Sequence, residues 1–353
     1  MPPFDPVALS QELIRCPSVT PDDAGTLAFL AEQLEALGFA CTRLTFQEAG
    51  TPDVDNLYAR WGEGTPHLAF AGHVDVVPPG PLGAWTQDPF TGEIVDDLLI
   101  GRGAVDMKSG VAAMLAAVSR YVGENRPARG SISFLITADE EGPAKNGTAK
   151  LVSWASDEGI RFDGCIVGEP TSRDRLGDMI KIGRRGSLNG TLRAIGRQGH
   201  VAYPDRGDNA AHRLVVMLQH LIEEPLDAGT EWFDPSSLQV TSIAVDNQAT
   251  NVIPQDASAR FNIRFNDSQT PESLERWLRS RIEVAGGSYD LALDPSGSAF
   301  RTEPGPLVES LSTSIEAIVG LKPTLSTSGG TSDARFIYKI TPVVQVRFER
   351  RTR

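Results

Sequence analysis

Short β-rich runs alternate with helical stretches along most of this chain, and the rhythm changes in its middle third. Residues 5–15 and 23–37 have apolar positions at helical spacing, with Gly38 as a stop. The runs 54–61, 67–77, 131–138 and 162–168 read as strands, with helices expected at 109–122 and 145–157. Strands alternating with helices specify an α/β sheet that is at least partly parallel. The middle third reads instead as strand 179–195, a helix near 208–222, strands 237–246 and 256–265, helix 271–285 and strand 288–293. That order, βαββαβ, is the ferredoxin-like arrangement. The α/β rhythm then returns with helix 306–319, strand 322–327, helix 332–338 and strand 342–348. The expected architecture is a mixed, largely parallel sheet flanked by helices, built from residues 1–178 and 294–353. A smaller α+β domain, residues 179–293, is inserted into it. A chain of 353 residues is long enough for both cores.

In an open α/β sheet, sites form outside the carboxyl ends of the strands. His73 and Asp75 lie at the end of HLAFAGHVDVV, Glu140 and Glu141 end SISFLITADEE, and Glu169 ends FDGCIVGE. Asp106 sits in GRGAVDMKSG, just before a helix. Each residue alone has an ordinary reading: a strand-end acid usually caps a helix or solvates a turn. Together, four segments bring imidazole or carboxylate to one rim. His73 and Asp75 are two apart and so share a strand face, which lets one hold a metal while the other supports it. Adjacent glutamates point in different directions, so one can bind metal while the other moves protons.

The ordered set GHVDVVPPG, GRGAVDMKSG, TADEEG and GEPT resembles the dinuclear zinc peptidase and amidohydrolase family, which includes aminoacylases, acetylornithine deacetylase, carboxypeptidases and desuccinylases. IKIGRRGSLNG, RQGHVAYP, NVIP and TSGGTSDARFI resemble the branch acting on succinyl-diaminopimelate. The resemblance runs from the first helix to about Val344. It implies two zinc ions per subunit, with cobalt able to fill similar ligands. Asp106 would bridge the ions, His73 and Glu169 would complete the first site, and Glu141 would bind the second ion. Glu140 would be the general base and acid, and Asp75 would orient His73. Two ions about 3.5–4 Å apart would bring the pKa of a shared water towards roughly 7. His200, reaching in from the inserted dimerisation (lid) domain of a partner subunit, would stabilise the oxyanion, which implies a homodimer. The implied reaction is hydrolysis of N-succinyl-LL-2,6-diaminopimelate to succinate and LL-2,6-diaminopimelate.

A substrate with carboxylates at both ends suits arginine, which binds them bidentately. Arg184 and Arg264 are candidates, and Lys181, Ser187, Tyr203 and Asn251 match substrate positions of the family. Gly330 and Thr331, in a Gly-rich stretch before the 332–338 helix, offer backbone N–H groups to a carboxylate. Another deacylase or peptidase of the family, or an inactive relative that binds without hydrolysing, are the competing readings.

Acids outnumber bases 46 to 33, which leaves no basic footprint for nucleic acid. No apolar run reaches the roughly 18 residues of a membrane span, and the N-terminus has no secretory pattern. Cys16, Cys41 and Cys165 form no disulfide framework, so a reduced cytoplasm is expected. One departure stands out. The family pattern has a further histidine near the C-terminus that ligates the second ion, but no histidine follows His220. The text runs PVVQVRFERRTR, turning basic with Arg347, Arg350, Arg351 and Arg353. The expectation is an intact first metal site, a weak second one, reduced turnover and apolar surface left uncovered near this end.

Overall fold

A computed structural model of the chain describes residues 2–124 and 130–348. Arg350, Arg351 and Arg353 lie outside the described residues. The chain opens with α1 (Pro6–Arg15), α2 (Thr26–Ala36), β1 (Ala40–Phe46), β2 (Val54–Glu63) and β3 (His67–His73). β4 (Glu93–Val95), β5 (Leu98–Ile100), α3 (Lys108–Glu124), β6 (Gly130–Thr137), α4 (Thr148–Asp157), β7 (Gly164–Val167) and β8 (Met179–Lys181) follow. Next are β9 (Gly183–Arg184), β10 (Gly186–Ile195), β11 (Gly199–His200), α5 (Ala210–Ile222), β12 (Ser237–Ala244), β13 (Val252–Ile253) and β14 (Asp256–Phe265). The last are α6 (Pro271–Ala285), β15 (Ser288–Gly297), β16 (Phe300–Arg301), α7 (Pro306–Val319), β17 (Thr324–Ser326), α8 (Ala334–Ile337) and β18 (Val343–Val346).

Two compact units result. The first comprises Met1–Ile182, Thr302–Ser326 and Ser332–Arg353; the second comprises Gly183–Arg301 and Thr327–Thr331. The first holds an eight-stranded sheet in the order β1-β2-β6-β3-β7-β18-β8-β17. Its centre, β6-β3-β7-β18, is parallel, and β1-β2, β2-β6 and β18-β8 pair antiparallel. Central parallel strands are covered on both faces, and β6 and β18 are accordingly buried almost throughout. α1 starts cleanly because the Asp5 side chain accepts from the Val7 N–H and Pro6 occupies the first turn. Its buried Leu9 and Leu13 join a core with Leu27, Leu34, Val111, Leu115 and Phe134.

The second unit is a four-stranded antiparallel sheet, β12-β14-β10-β15. With α5 and α6 this is the ferredoxin-like arrangement. β14 alternates, sending Ala257, Ala259, Phe261, Ile263 and Phe265 inward. α6 begins at a Thr270–Ser273 capping box and buries Leu274, Leu278 and Ile282, one per turn.

Two expectations need correction. The strand expected over 179–195 is three pieces, β8, β9 and β10, in different sheets. The breaks fall at close approaches: a Cβ on Gly183 would sit 2.2 Å from the Phe300 carbonyl oxygen. The helix expected over 332–338 is the single turn Ala334–Ile337. Ser332 is drawn off to donate from its hydroxyl to Gln345 Oε1 at 2.9 Å. Gly330 and Thr331 therefore do not precede a helix long enough to present a dipole to an anion. Phe348 lines a cavity of about 600 Å³ together with Val7, Ile94, Leu98 and Val105, all four of which are exposed. Among the described residues no helix is long and apolar enough to cross a membrane.

Candidate metal centre

β3, β6 and β7 are parallel neighbours in register, His73 beside Thr137 and Ala71 beside Val167. Their carboxyl ends therefore share one rim, where His73, the pair Glu140–Glu141 and Glu169 emerge. α3 brings Asp106 to the same rim from the loop that precedes it. One donor atom each from His73, Asp106 and Glu169 lies within 4.8 Å of the other two. His73 Nε2 is 3.1 Å from Asp106 Oδ1, and its Nδ1 is 2.9 Å from the Asp75 carbonyl oxygen. His73 and Asp75 are fully buried, whereas the Asp106 side chain is 46% exposed. The centre thus has a rigid inner wall and an open side.

The charge balance tests whether this set fits a cation. Burial pulls the His73 imidazole down, but the facing carboxylates of Asp106 and Asp75 and the charge of Glu140 outweigh it and hold its pKa well above the ordinary value. An imidazole that keeps a proton because carboxylates surround it is one whose proton a metal ion replaces. One nitrogen and two carboxylates also suit a divalent ion of the zinc type with an open position. The donor set fits one ion. Glu141 belongs to no second such triad among the described residues. Its carboxyl is raised by burial, which outweighs the pull of His73, and the charges of Asp106 and Asp75 add to the rise. Burial also raises Glu140, with Glu141 and Asp106 pushing the same way and His73 and Arg335 opposing. A carboxyl raised above its ordinary value accepts a proton more readily and can return it.

The remaining candidates fall into three groups. In the first unit Lys181 is buried on β8, its Nζ 3.3 Å from Ser326 Oγ. In the second unit Arg184 is buried beside the 328–331 turn, so close that a Cβ on Gly329 would meet its Nη1 at 2.8 Å. Gly330 and Thr331 follow in that turn, and Ser187 pairs with Arg264 across β10 and β14. Also in the second unit, His200, Tyr203 and Asn251 cluster on the β11–β13 ribbon. The His200 and Tyr203 rings are 5.9 Å apart, and Val201 N–H donates to the Asn251 carbonyl at 3.0 Å.

Several residues escaped the sequence reading. Asp333 is buried, 3.7 Å from Arg335 Nη2, and its carboxyl is pushed up to about 7 by burial and by the charge of Glu140. Lys108, a surface-type residue on a helix, is fully buried and donates from Nζ to the carbonyls of Leu13 and Cys16 at 2.7 and 2.6 Å. Arg185 lies beside Arg264 and, with burial, lowers the Arg264 pKa. Arg185 Nε and Arg264 Nη1 are buried without a hydrogen-bond partner. The doubled arginine was the available signal. Gly110 in the first turn of α3 abuts Gly168, where an added Cβ would lie 2.3 Å from the Gly168 carbonyl oxygen. Asp106 lies four residues before Gly110 and Glu169 directly follows Gly168.

Residues 69–351 match the model of Peptidase family M20/M25/M40. A protein of Rhodospirillum centenum called succinyl-diaminopimelate desuccinylase is 58% identical over 341 residues, covering 97% of this chain and 88% of its own. One of the same name from Methylorubrum populi is 55% identical over 352 residues, covering 98% of this chain and 91% of its own. Among solved structures, an M20 family metallo-carboxypeptidase from Sulfolobus solfataricus superposes with a TM-score of 0.77 at 18% identity, covering 97% of this chain and 91% of its own. That likeness speaks to the fold.

Proposed function

The chain belongs to peptidase family M20/M25/M40, and from that premise we propose that it hydrolyses the amide bond of N-succinyl-LL-2,6-diaminopimelate, releasing succinate and LL-2,6-diaminopimelate. The observation that carries this is the high identity, over nearly the whole chain, to relatives of that name. Those relatives also favour it over acetylornithine deacetylation. In this reading the step serves diaminopimelate and lysine synthesis in the cytoplasm.

His73, Asp106 and Glu169 would hold one ion, zinc or cobalt. When bound, such an ion polarises a carbonyl and acidifies water. Glu140 takes the proton of the attacking water and returns one to the leaving amine as the carbon–nitrogen bond breaks. Burial of His73 and Asp75 keeps the inner wall dry and fixed. The partner subunit's His200 would donate a hydrogen bond to the oxyanion in a homodimer. Arg184, Arg264 and Lys181 would receive the terminal carboxylates, with Ser187, Tyr203, Asn251, Gly330 and Thr331 completing the substrate contacts. For a second ion, Asp106 and Glu141 would be two donors, with no third grouped with them among the described residues.

The test is succinate release from the succinyl substrate, before and after chelation, with acetylornithine as control. Turnover lost on chelation and restored by zinc is expected. Cleavage of acetylornithine alone would replace this reading, and binding without cleavage would make the chain a non-catalytic relative.

A further inference from the structure

Asp75 divides its two polar ends between two partners. Its carboxylate is fully buried. Oδ1 accepts from the Glu140 N–H at 3.2 Å and Oδ2 from the Glu141 N–H at 3.0 Å. The His73 ring takes its shorter contact from the main chain: Nδ1 lies 2.9 Å from the Asp75 carbonyl oxygen and 3.5 Å from Oδ1. The shorter contact is a normal hydrogen bond; the longer one is beyond that range. The main chain here is fixed independently of the side chain. Val74 N–H donates to Thr137 O at 2.9 Å, Val76 N–H to Ser18 O at 2.9 Å and Thr20 N–H to Val76 O at 3.0 Å. The Ser18 hydroxyl donates to Val74 O at 2.6 Å. The carbonyl that orients the imidazole would therefore stay in place if the Asp75 side chain were changed.

We propose that Asp75 is a positioning residue for the Glu140–Glu141 pair, acting through its carboxylate. One carboxylate gripping two consecutive N–H groups fixes the tilt of two successive peptide planes. This sends the two glutamate side chains in separate set directions: Glu140 for proton transfer, Glu141 away from it. The proposal rests on the proton-carrying role given to Glu140 above.

The experiment compares Asp75→Asn and Asp75→Ala with the unchanged chain. An Asn oxygen satisfies one of the two amides, while its NH2 opposes the other N–H, so one peptide plane is released. The expected result is a kcat reduced about 10–100-fold with KM changed less than about 3-fold. Zinc affinity of the first site is titrated calorimetrically into chelator-treated protein, and kcat is measured at saturating zinc so that the two effects separate. A loss of zinc affinity of about 10-fold or more, with kcat retained at saturating zinc, would place the role of Asp75 on His73 and overturn the proposal. Residue-resolved hydrogen exchange gives a reading independent of substrate. In the unchanged chain the Glu140 and Glu141 amides should exchange slowly, and at least one should become fast in Asp75→Asn. If the variants do not fold, rapid exchange of both amides in the unchanged chain overturns the proposal, and protection of both supports it. If the unchanged chain does not cleave the succinyl substrate, the proposed function fails, and the zinc and exchange results still decide the role of Asp75.

Discussion

Asp333 lies two residues past the Gly-rich 328–331 turn and is buried beside the acid cluster, where burial and the charge of Glu140 push its carboxyl to about 7. A carboxyl in the unfolded chain titrates near 4. The folded state thus binds this proton more tightly than the unfolded state does. Stability from Asp333 is complete below about pH 4 and is lost as the pH rises through about 7. Asp333→Asn in chelated protein should therefore raise the melting temperature at pH 8 and leave it nearly unchanged at pH 4. Thermal unfolding at the two pH values checks this, and an equal or lower melting temperature at pH 8 refutes it. TSGGTSDARFI was legible as a motif, but its aspartate was not legible as a buried acid. Nothing in the spacing says that residue 333 is shut away from water next to residue 140. Lys108 is the same case: nothing in DMKSG marks it as buried, yet it is satisfied by the carbonyls of Leu13 and Cys16 at the C-terminal end of α1.

At the scale of elements, α3 and the end of β7 meet backbone to backbone at Gly110 and Gly168. Gly110→Ala should cost about 1–3 kcal/mol, because the helix must back away from a carbonyl it now touches. It should also weaken zinc binding about 10-fold, since Asp106 and Glu169 then separate. Urea unfolding and zinc titration measure the two effects. Gly123→Ala, in the same helix with nothing within 4 Å of an added Cβ, is the control and should be stabilising by up to about 1 kcal/mol. Where an element had strong periodicity and clear ends, the sequence located it well. α6 and α7 both start on a proline, and β14 alternates along its whole length. β1 was missed because its side chains are half-exposed or exposed and leave no buried face to read. β11 and β13 are two residues each and exist only because they pair.

For the whole molecule, the single triad among the described residues leads to one expectation. Purified chain should retain one tightly held zinc after dialysis, with a second bound only weakly. Two tightly held ions per chain by elemental analysis would show that another group completes the second site. The sequence by itself determined the α/β alternation, the ferredoxin-like insert and the placing of His73, Asp106, Glu140, Glu141 and Glu169 at element ends, because periodicity and turn chemistry are local properties of the chain. Only the tertiary structure decided that His73, Asp106 and Glu169 converge within 4.8 Å, that Asp75 grips two amides 65 and 66 residues away, and that Asp333 and Lys108 are desolvated. Strand order, hydrogen-bond partners and burial arise when distant segments pack together, and no local pattern in the sequence encodes them.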